Sequence, residues 1–299
     1  MNRAPGQVCQ VRRRCLIGLA ALLLLPRAQA SAAQAPLSQV AALDWGLVQT
    51  LLALGLTPAA TAENALYRSS VREPQLPASV LELGLRSEPN LELLQELQPE
   101  LILLGSDQAV LQDRLASIAA SEVFETDDQG SPCEQVARLT LAVAHRIGRS
   151  EAAQRYLAHA WASLAEARQR CLALAPAALQ VISVIDERRA MVFGRNSLFD
   201  DVLQRLGQRN AWVGQTNGWG FATIGFEQLA EQPEARLVYF NATPGLEQRL
   251  ADNPLWRNLP SVRRQQAIKL PEVLFYGAMP SAVSFAELLS SHLMQAEHG

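Results

Sequence analysis

The sequence is poor in the side chains that most often hold metal ions. It has four histidines among 299 residues, His145, His159, His292 and His298, and neither a C-x-x-C motif nor an H-x-x-E cluster. A protein that binds a metal ion directly needs several such ligands converging on one point. The sequence therefore argues against a direct metal site, and we expect no cofactor.

Signature motifs of the common enzyme classes are absent as well. The chain contains no G-x-S-x-G motif, no P-loop and no H-E-x-x-H motif. Ser197 lies in the segment FGRNSLFD, where a serine is more typical of a helix N-cap than of a nucleophile. We therefore expect a protein that is not an enzyme.

The first 30 residues have the pattern of an export signal. Three arginines end at Arg14 and precede an apolar run over residues 15–25, and small residues follow at Ala28 and Ala30. Eleven apolar residues are too few to cross a hydrocarbon core that is ~30 Å thick. We expect a cleaved signal that resembles the twin-arginine type, although a signal of the general secretory type is equally compatible.

Removal of this signal changes the charge balance. It deletes five arginines and no acidic residue, which reduces 26 basic residues to 21 against 29 acidic ones, a net charge of −8. Phosphate backbones and anionic membrane surfaces repel an acidic protein. We therefore expect neither of these as a partner.

Two cysteines, Cys133 and Cys171, remain after such cleavage. An oxidising compartment permits a disulfide between them, but two cysteines 38 residues apart can equally stay as buried thiols. The sequence leaves both states open, because it does not supply the distance between the two residues.

An acidic, leucine-rich stretch that runs through a proline into an apolar strand occurs twice. The copies are residues 91–104, LELLQELQPELILL, and residues 226–239, FEQLAEQPEARLVY. Their spacing of about 135 residues is too long for a solenoid and is typical of two similar lobes. Around them apolar strands alternate with helical segments, which predicts βα units and mostly parallel sheets. The expected fold class is therefore α/β, with two lobes and a ligand cleft between them.

A segment without glycine or proline, residues 149–174, is rich in strong helix formers and ends before Pro176. Its 26 residues at 1.5 Å each would form a helix of ~39 Å, about the diameter of a domain. The pattern fits a long surface helix or a rigid connector. We expect a connecting helix at 149–175, between an N-terminal lobe at 36–148 and a C-terminal lobe at 178–299.

Further local signals predict other helices, among them those over residues 92–97 and 197–206. Asp44 and Ser284 are placed as N-caps of helices over residues 45–54 and 284–295. The amphipathic pattern over residues 108–119 predicts one more.

Five segments, in matching order, carry a resemblance to a known family. They are LGLRSEPNLE at 83–92, FGRNSLFD at 193–200, NAWVGQTNGWGF at 210–221, PLWRNLPSVR at 254–263 and FYGA at 275–278. The chain resembles the periplasmic components of ABC importers that bind ferric hydroxamate siderophores, whose two lobes are joined by one long helix. The resemblance covers nearly all of residues 38–290.

This resemblance implies a function that the residue patterns alone do not reach. A member would capture a ferric siderophore in the periplasm and present it to an inner-membrane ABC permease, and we expect it to act as a monomer. The iron would arrive already wrapped by its chelator. Cobalamin, haem or another metal chelate remains the alternative ligand of the same fold.

The resemblance also implies ligand-binding residues. Arg86 in LGLRSEPN matches the arginine that bonds the hydroxamate oxygens, although its surroundings also fit a surface arginine paired with Glu88. Trp219 in NGWG and Tyr276 in FYGA match cleft aromatics, and Asn217 matches an asparagine beside them. Trp219 could equally anchor its loop against the core.

The chain departs from the family pattern at several cleft positions. Further aromatics are expected where it has Ser70 and Leu274, and the segment GSDQAV at 105–110 lacks the expected tyrosine. Losing aromatic walls would change the shape of the cleft. Tyr67 and Arg68, in the adjacent segment, are the residues we expect to compensate.

Glu92 and Glu227 occupy equivalent positions in the two copies of the repeat. Carboxylates at the start of a helix also suit the helix dipole, without any functional role. In the family, one acidic residue on each lobe docks into an arginine pocket of the permease. The resemblance therefore implies that Glu92 and Glu227 dock against the permease.

Overall fold

A computed structural model describes residues 36–174, 176–241 and 243–298 of the chain. The predicted export signal over residues 1–30 lies outside these ranges. Within them, no helix combines the length and the apolar character that crossing a membrane would require.

A parallel sheet of five short strands occupies the N-terminal half. The strands are β1 (Val40–Ala42), β2 (Ala60–Thr61), β3 (Leu81–Glu82), β4 (Leu101–Leu104) and β5 (Ser121–Val123). They lie in the order β3-β2-β1-β4-β5. Strands β1 and β4 are fully buried, as is typical of parallel strands covered on both faces. The carboxyl ends of all five strands meet at one edge, where open α/β sheets bind their ligands.

The C-terminal half contains a second, mixed sheet. Its strands are β6 (Ala178–Val184), β7 (Arg189–Phe193), β8 (Arg209–Asn210), β9 (Phe221–Gly225), β10 (Arg236–Phe240) and β11 (Ala267–Lys269). The order is β11-β10-β6-β7-β9, and β8 also pairs with β6. Among the described strands of this sheet, β7 alone runs in the opposite direction, antiparallel to both β6 and β9. The two sheets confirm the predicted two-lobed α/β fold with mostly parallel strands.

The helices pack around these sheets. In the N-terminal half they are α1 (Trp45–Ala53), α2 (Asn64–Ser70), α3 (Leu91–Leu97), a 3-10 helix (Ser106–Leu111), α4 (Gln112–Leu115) and α5 (Pro132–Arg146). After them come α6 (Ser150–Leu172), α7 (Leu198–Arg205), α8 (Phe226–Leu229), α9 (Leu246–Asp252), α10 (Pro254–Arg257), α11 (Pro260–Arg263) and α12 (Met279–His298).

Helix α6 confirms the predicted long helix, with 23 residues and a length of ~35 Å. It packs against α5 and α12. Its role as the connector between lobes at 36–148 and 178–299 stays a prediction.

The bounds of helix α5 were not predicted from the sequence, although its start carries clear signals. Ser131 precedes the helix, Pro132 occupies its first turn, and the Glu134 carboxylate accepts the Ser131 backbone N–H at 3.0 Å. Cys133, near the beginning of α5, packs in the core of the second sheet, whereas Val143, near its end, packs in the core of the first. Helix α5 therefore belongs to both cores.

The predicted cap of the last helix is wrong, because α12 begins at Met279 and Ser284 lies inside it. The buried residues Met279 and Ala282 extend the apolar face upstream of Ser284. Pro280 lies in the first turn of α12, where a backbone N–H has no carbonyl partner within the helix, so its absence costs no hydrogen bond. The cap at Asp44 is confirmed, since its Oδ1 accepts the Leu47 N–H at 3.0 Å.

The single helix predicted over residues 108–119 is also wrong. A 3-10 helix and the short helix α4 cover only its first part. Ile118 and Ala119 pack against the core from the turn that follows α4. Their apolar character therefore reflects burial and not helical periodicity.

Cys133 and Cys171 are both free and buried. They lie in the same apolar cluster of the second sheet. Burial raises the pKa of both thiols, and the nearby Asp201 carboxylate adds to the rise at Cys133. Of the two states that the sequence left open, a disulfide or two buried thiols, the structure therefore shows buried, protonated thiols.

Candidate ligand-binding cleft

An open cavity of about 170 Å³ lies at the carboxyl edge of the first sheet. Asp44 follows β1, Gly105 follows β4 and Phe124 follows β5, and all three line the cavity. Trp219, from the loop before β9, and Tyr276, from the segment before α12, also line it. The cavity therefore lies where residues from the two halves of the chain meet.

Arg86 stands beside this cavity in a tightly held arrangement. Its Nε donates to Glu63 Oε2 at 2.8 Å, and one terminal nitrogen donates to the Tyr276 hydroxyl at 3.4 Å. The guanidinium lies 4.4 Å from the centre of the Trp45 ring, a cation–π contact. Arg86 is thus fixed by a carboxylate, a phenol and an indole, and only 28% of its side chain is exposed.

The charge states at this cluster follow from burial and pairing. Burial alone would lower the pKa of the Arg86 guanidinium, but Tyr276 and the Glu63 carboxylate outweigh burial and raise it. Burial raises the pKa of the Tyr276 phenol, and Arg86 offsets part of that rise. At neutral pH the cluster therefore presents a charged guanidinium and a neutral phenol.

Tyr276 is positioned by a network of hydrogen bonds between helix α1 and the beginning of helix α12. The Gln49 side chain, on α1, accepts the Ala278 N–H at 2.9 Å and donates to the Ser281 hydroxyl at 3.1 Å. All three groups are buried. The Tyr276 ring also stacks on Trp45, with centroids 6.2 Å apart. The C-terminal segment is therefore held against the N-terminal wall of the cleft.

Glu63, the partner of Arg86, adopts an unusual backbone conformation. Its φ is 57°, in the left-handed region that a glutamate rarely occupies. Its N–H donates to the Gly84 carbonyl at 2.9 Å and to the Glu82 carboxylate at 2.9 Å. These bonds hold Glu63 in the conformation that directs its carboxylate at Arg86.

Trp219 projects from a loop that is held by its main chain. The Asn217 carboxamide oxygen accepts the backbone N–H groups of Trp219 at 3.0 Å and Phe221 at 3.2 Å. Gly220 has a φ of +77°, and a Cβ at that position would lie 2.2 Å from the Ser197 nitrogen. The loop therefore requires glycine at position 220, while 53% of Trp219 stays exposed. Asn217 shapes the loop that presents this indole.

The structure does not bring Tyr67, which the resemblance led us to expect in the site, to the cavity. Its side chain has no exposed surface, because its hydroxyl donates to the Pro74 carbonyl at 3.1 Å and its ring packs edge-on against Trp45. Tyr67 therefore supports Trp45 from the core. Arg68 is exposed and donates to the carbonyls of Leu76 and Pro77 at 3.3 and 3.2 Å, and its contact with a ligand stays a prediction.

Trp45 and Glu63, which hold Arg86, were not predicted from the sequence. A signal for Trp45 was available, since α1 begins with it three residues after strand β1, near the ligand-binding edge of a parallel sheet. The pairing of Glu63 with Arg86, 23 residues further along, had no such signal. It depends on the conformation of Glu63.

The positions that depart from the family pattern fall in different environments. Gly105, Ser106 and Asp107 line the cavity, without an aromatic ring. Leu274 is buried in the core of the first sheet, and the half-buried Ser70 ends helix α2. The 105–107 segment therefore lines the cavity with small and polar groups, whereas Leu274 does not line it.

Two further predictions concern residues outside the cavity. Glu92 and Glu227 are exposed in the first turns of α3 and α8, as surface contacts would require. Among the residues within 36–298 that the structure describes, no group of three His, Cys, Asp or Glu side chains is arranged to hold a metal ion.

Comparisons with known proteins agree with this architecture. A family model described as “Periplasmic binding protein” matches residues 40–274. The iron(3+)-hydroxamate-binding protein FhuD of Escherichia coli (strain K12) is 34% identical over 282 residues, which cover 94% of this chain and 95% of that protein.

Solved structures show the same fold. The Fe3+-Desferal-bound siderophore binding protein FhuD from Vibrio cholerae matches with a TM-score of 0.81 and 25% identity, over 86% of this chain and 98% of that one. The triscatecholate siderophore binding protein FeuA from Bacillus subtilis matches with a TM-score of 0.68 and 14% identity, over 87% and 94%. The second likeness is one of fold alone.

Proposed function

The chain belongs to the periplasmic binding protein family, and we propose that it captures a ferric hydroxamate siderophore and delivers it to an inner-membrane ABC permease. The observation that carries the proposal is that Arg86 bonds Tyr276 beside a cavity that Tyr276 and Trp219 line. The E. coli relative is an iron(3+)-hydroxamate-binding protein and the V. cholerae structure is bound to Fe3+-Desferal, and both support the ligand class. The protein binds and releases its cargo and is not an enzyme.

The chemistry of such a chelate suits this cleft. Ferric iron in a trihydroxamate is already surrounded by chelator oxygens, so it is cargo and needs no ligand from the protein. Arg86 offers charge-assisted N–H donors to the hydroxamate oxygens. Because Glu63 engages Nε, the terminal nitrogens of Arg86 remain for Tyr276 and the ligand. Tyr276 and Trp219 offer ring surface to the apolar periphery of the chelate.

Tryptophan fluorescence tests this proposal, because Trp219 is exposed in the cleft and Trp45 lies against Arg86. We expect saturable quenching by ferric trihydroxamates and little response to the iron-free chelators. Free tryptophan in the same solutions corrects for light absorbed by the ferric complexes. Saturable binding of haem or cobalamin, with no response to any ferric trihydroxamate, would overturn the proposed ligand class.

We further propose that Glu92 and Glu227 contact the permease. Reversing both charges, with Glu92→Arg and Glu227→Arg, should abolish siderophore-dependent iron uptake by cells, because like charges brought together at an interface cost several kcal/mol. The purified variant should bind the ferric siderophore within about twofold of the parent, since both residues lie outside the cavity.

A matched control for this reversal is present on the same segments. Glu96→Arg and Glu231→Arg change two other exposed acids of the repeat by the same charge. Uptake by this control should stay near the parental rate. If the Glu92 and Glu227 variant also supports normal uptake, these residues do not dock the permease.

The remaining parts of the proposal concern export and assembly. We propose that residues 1–30 direct export to the periplasm and are removed there, and that the processed protein acts as a monomer. Sequencing of the mature N-terminus tests the first point, and light scattering with and without ligand tests the second.

A further inference from the structure

Acidic side chains dominate the charged groups of the cavity. Asp44, Asp107 and Glu125 line it, and none of the lining residues that the structure describes is a lysine or an arginine. Asp107 and Glu125 are exposed, and neither forms an ion pair with a described residue. Their negative charges therefore act directly on whatever enters the cavity.

The arginine beside the cavity does not reverse this balance. Arg86 is paired with Glu63 at 2.8 Å, so the pair adds little net charge. Burial raises the pKa of Asp44, against the lowering effect of the N–H groups that it accepts and of Arg86. Asp107 and Glu125 are therefore the main source of a negative potential in the cleft.

The charge of a ferric chelate depends on its donor groups. Three hydroxamates balance the charge of Fe³⁺, so a ferric trihydroxamate core is neutral. Three catecholates exceed the charge of the ion, so their complex is an anion. A hydroxamate chelator that also carries a free amine forms a cation at neutral pH. These three classes are distinguished by their charge as well as by their shape.

We propose that this cleft selects its chelate by charge and prefers a ferric trihydroxamate that carries a pendant ammonium group. The inference rests on the proposed function and adds the substrate class. Asp107 and Glu125 attract the ammonium group, while Arg86 and the aromatic rings bind the neutral iron core. The same two carboxylates repel anionic ferric catecholates. Charge thus sets a preference that the aromatic walls alone would not set.

A matched pair of ligands tests the proposal. Ferric Desferal carries a free terminal amine, and its N-acetylated derivative has the same iron core without that charge. We expect the parent protein to bind the amine form about threefold to tenfold more tightly at low salt, because exposed ion pairs make modest contributions to binding. The preference should shrink as salt is added, since the screening length falls to about 3 Å at 1 M.

Variants locate the source of the preference. Asp107→Asn combined with Glu125→Gln should bring the affinity ratio of the two ligands close to one. Glu166→Gln removes an exposed acid on α6, outside the cavity, and should keep the parental ratio.

The outcomes separate this inference from the proposed function. If neither ligand binds the parent, the proposed function itself fails. If both bind with equal affinity at low salt, the function stands and charge selection is overturned. Charge selection by these residues is also overturned if the double variant keeps the parental ratio, or if a ferric triscatecholate binds as tightly as the amine form.

Discussion

The N-terminal wall of the cleft and the wall formed by the C-terminal half differ in how firmly their side chains are held. On the first wall, Arg86 is fixed by Glu63, Tyr276 and Trp45, and Trp45 is only 2% exposed. On the second wall, Trp219 is 53% exposed, and no aromatic partner stands against its ring among the described residues. Only the main chain of its loop is held in place.

This difference assigns different tasks to the two walls. A donor that is already oriented loses little conformational freedom when the ligand arrives, so most of its bond energy contributes to affinity. An exposed indole must be ordered on binding, but it can adapt to chelates with different peripheries. The comparison therefore predicts that affinity depends mainly on Arg86 and that Trp219 makes a smaller contribution.

Arg86→Ala is expected to cause the largest loss, because it removes the oriented charged donor of the first wall. A charge-assisted hydrogen bond contributes roughly 1.5–3 kcal/mol, which corresponds to about tenfold to hundredfold in the dissociation constant of a ferric trihydroxamate. Titration calorimetry measures the change. The dissociation constant of Arg86→Lys should lie between those of the parent and Arg86→Ala, because lysine keeps the positive charge but lacks the planar guanidinium that contacts both Glu63 and Tyr276.

Arg155→Ala is the control for this change. It removes an exposed arginine of α6 that pairs with the surface residue Glu151 and does not line the cavity, so the affinity of this variant should equal that of the parent. If Arg86→Ala binds as tightly as Arg155→Ala, Arg86 has no place in the site and the proposed division of tasks fails.

Trp219→Ala should cause a smaller loss. Covering the exposed half of the indole buries on the order of 100 Å². At ~25 cal/mol per Å² this amounts to at most about 2.5 kcal/mol, before the cost of ordering the side chain. We therefore expect a fivefold to twentyfold loss, roughly, and a loss of a few-fold for Trp219→Phe. Calorimetry is required, because these variants remove a fluorescent reporter. A loss greater than that of Arg86→Ala would reverse the comparison.

Sequence patterns predicted the parts of the molecule that depend on local interactions. The alternation of apolar strands and helices predicted both sheets, and Asp44 predicted the start of α1. The resemblance to the family predicted the site residues Arg86, Trp219 and Tyr276. Composition and periodicity could not, since they do not distinguish a cleft residue from a surface residue.

The rest of the site depends on contacts between distant positions. The Arg86–Tyr276 bond joins residues 190 positions apart, and Glu63 reaches Arg86 only because its backbone is left-handed. Tyr67 shows the converse, because helix α2 turns it into the core although its neighbour Arg68 is exposed. No spacing rule encodes either result, because each follows from how separate elements pack.

The smallest effect on binding is expected from the two glycines that flank Trp219, and they differ from each other. Gly220→Ala places a Cβ in the left-handed region and 2.2 Å from the Ser197 nitrogen, so the loop must shift. Gly218→Ala meets no atom within 4 Å and should bind as the parent does. We expect a loss of about twofold to fivefold for Gly220→Ala, less than that for Trp219→Ala, because the shifted loop still offers the indole to the ligand. Equal affinities of the two glycine variants would show that Trp219 reaches the ligand from a loop with no fixed conformation. The main chain of the second wall would then be held less firmly than its hydrogen bonds indicate.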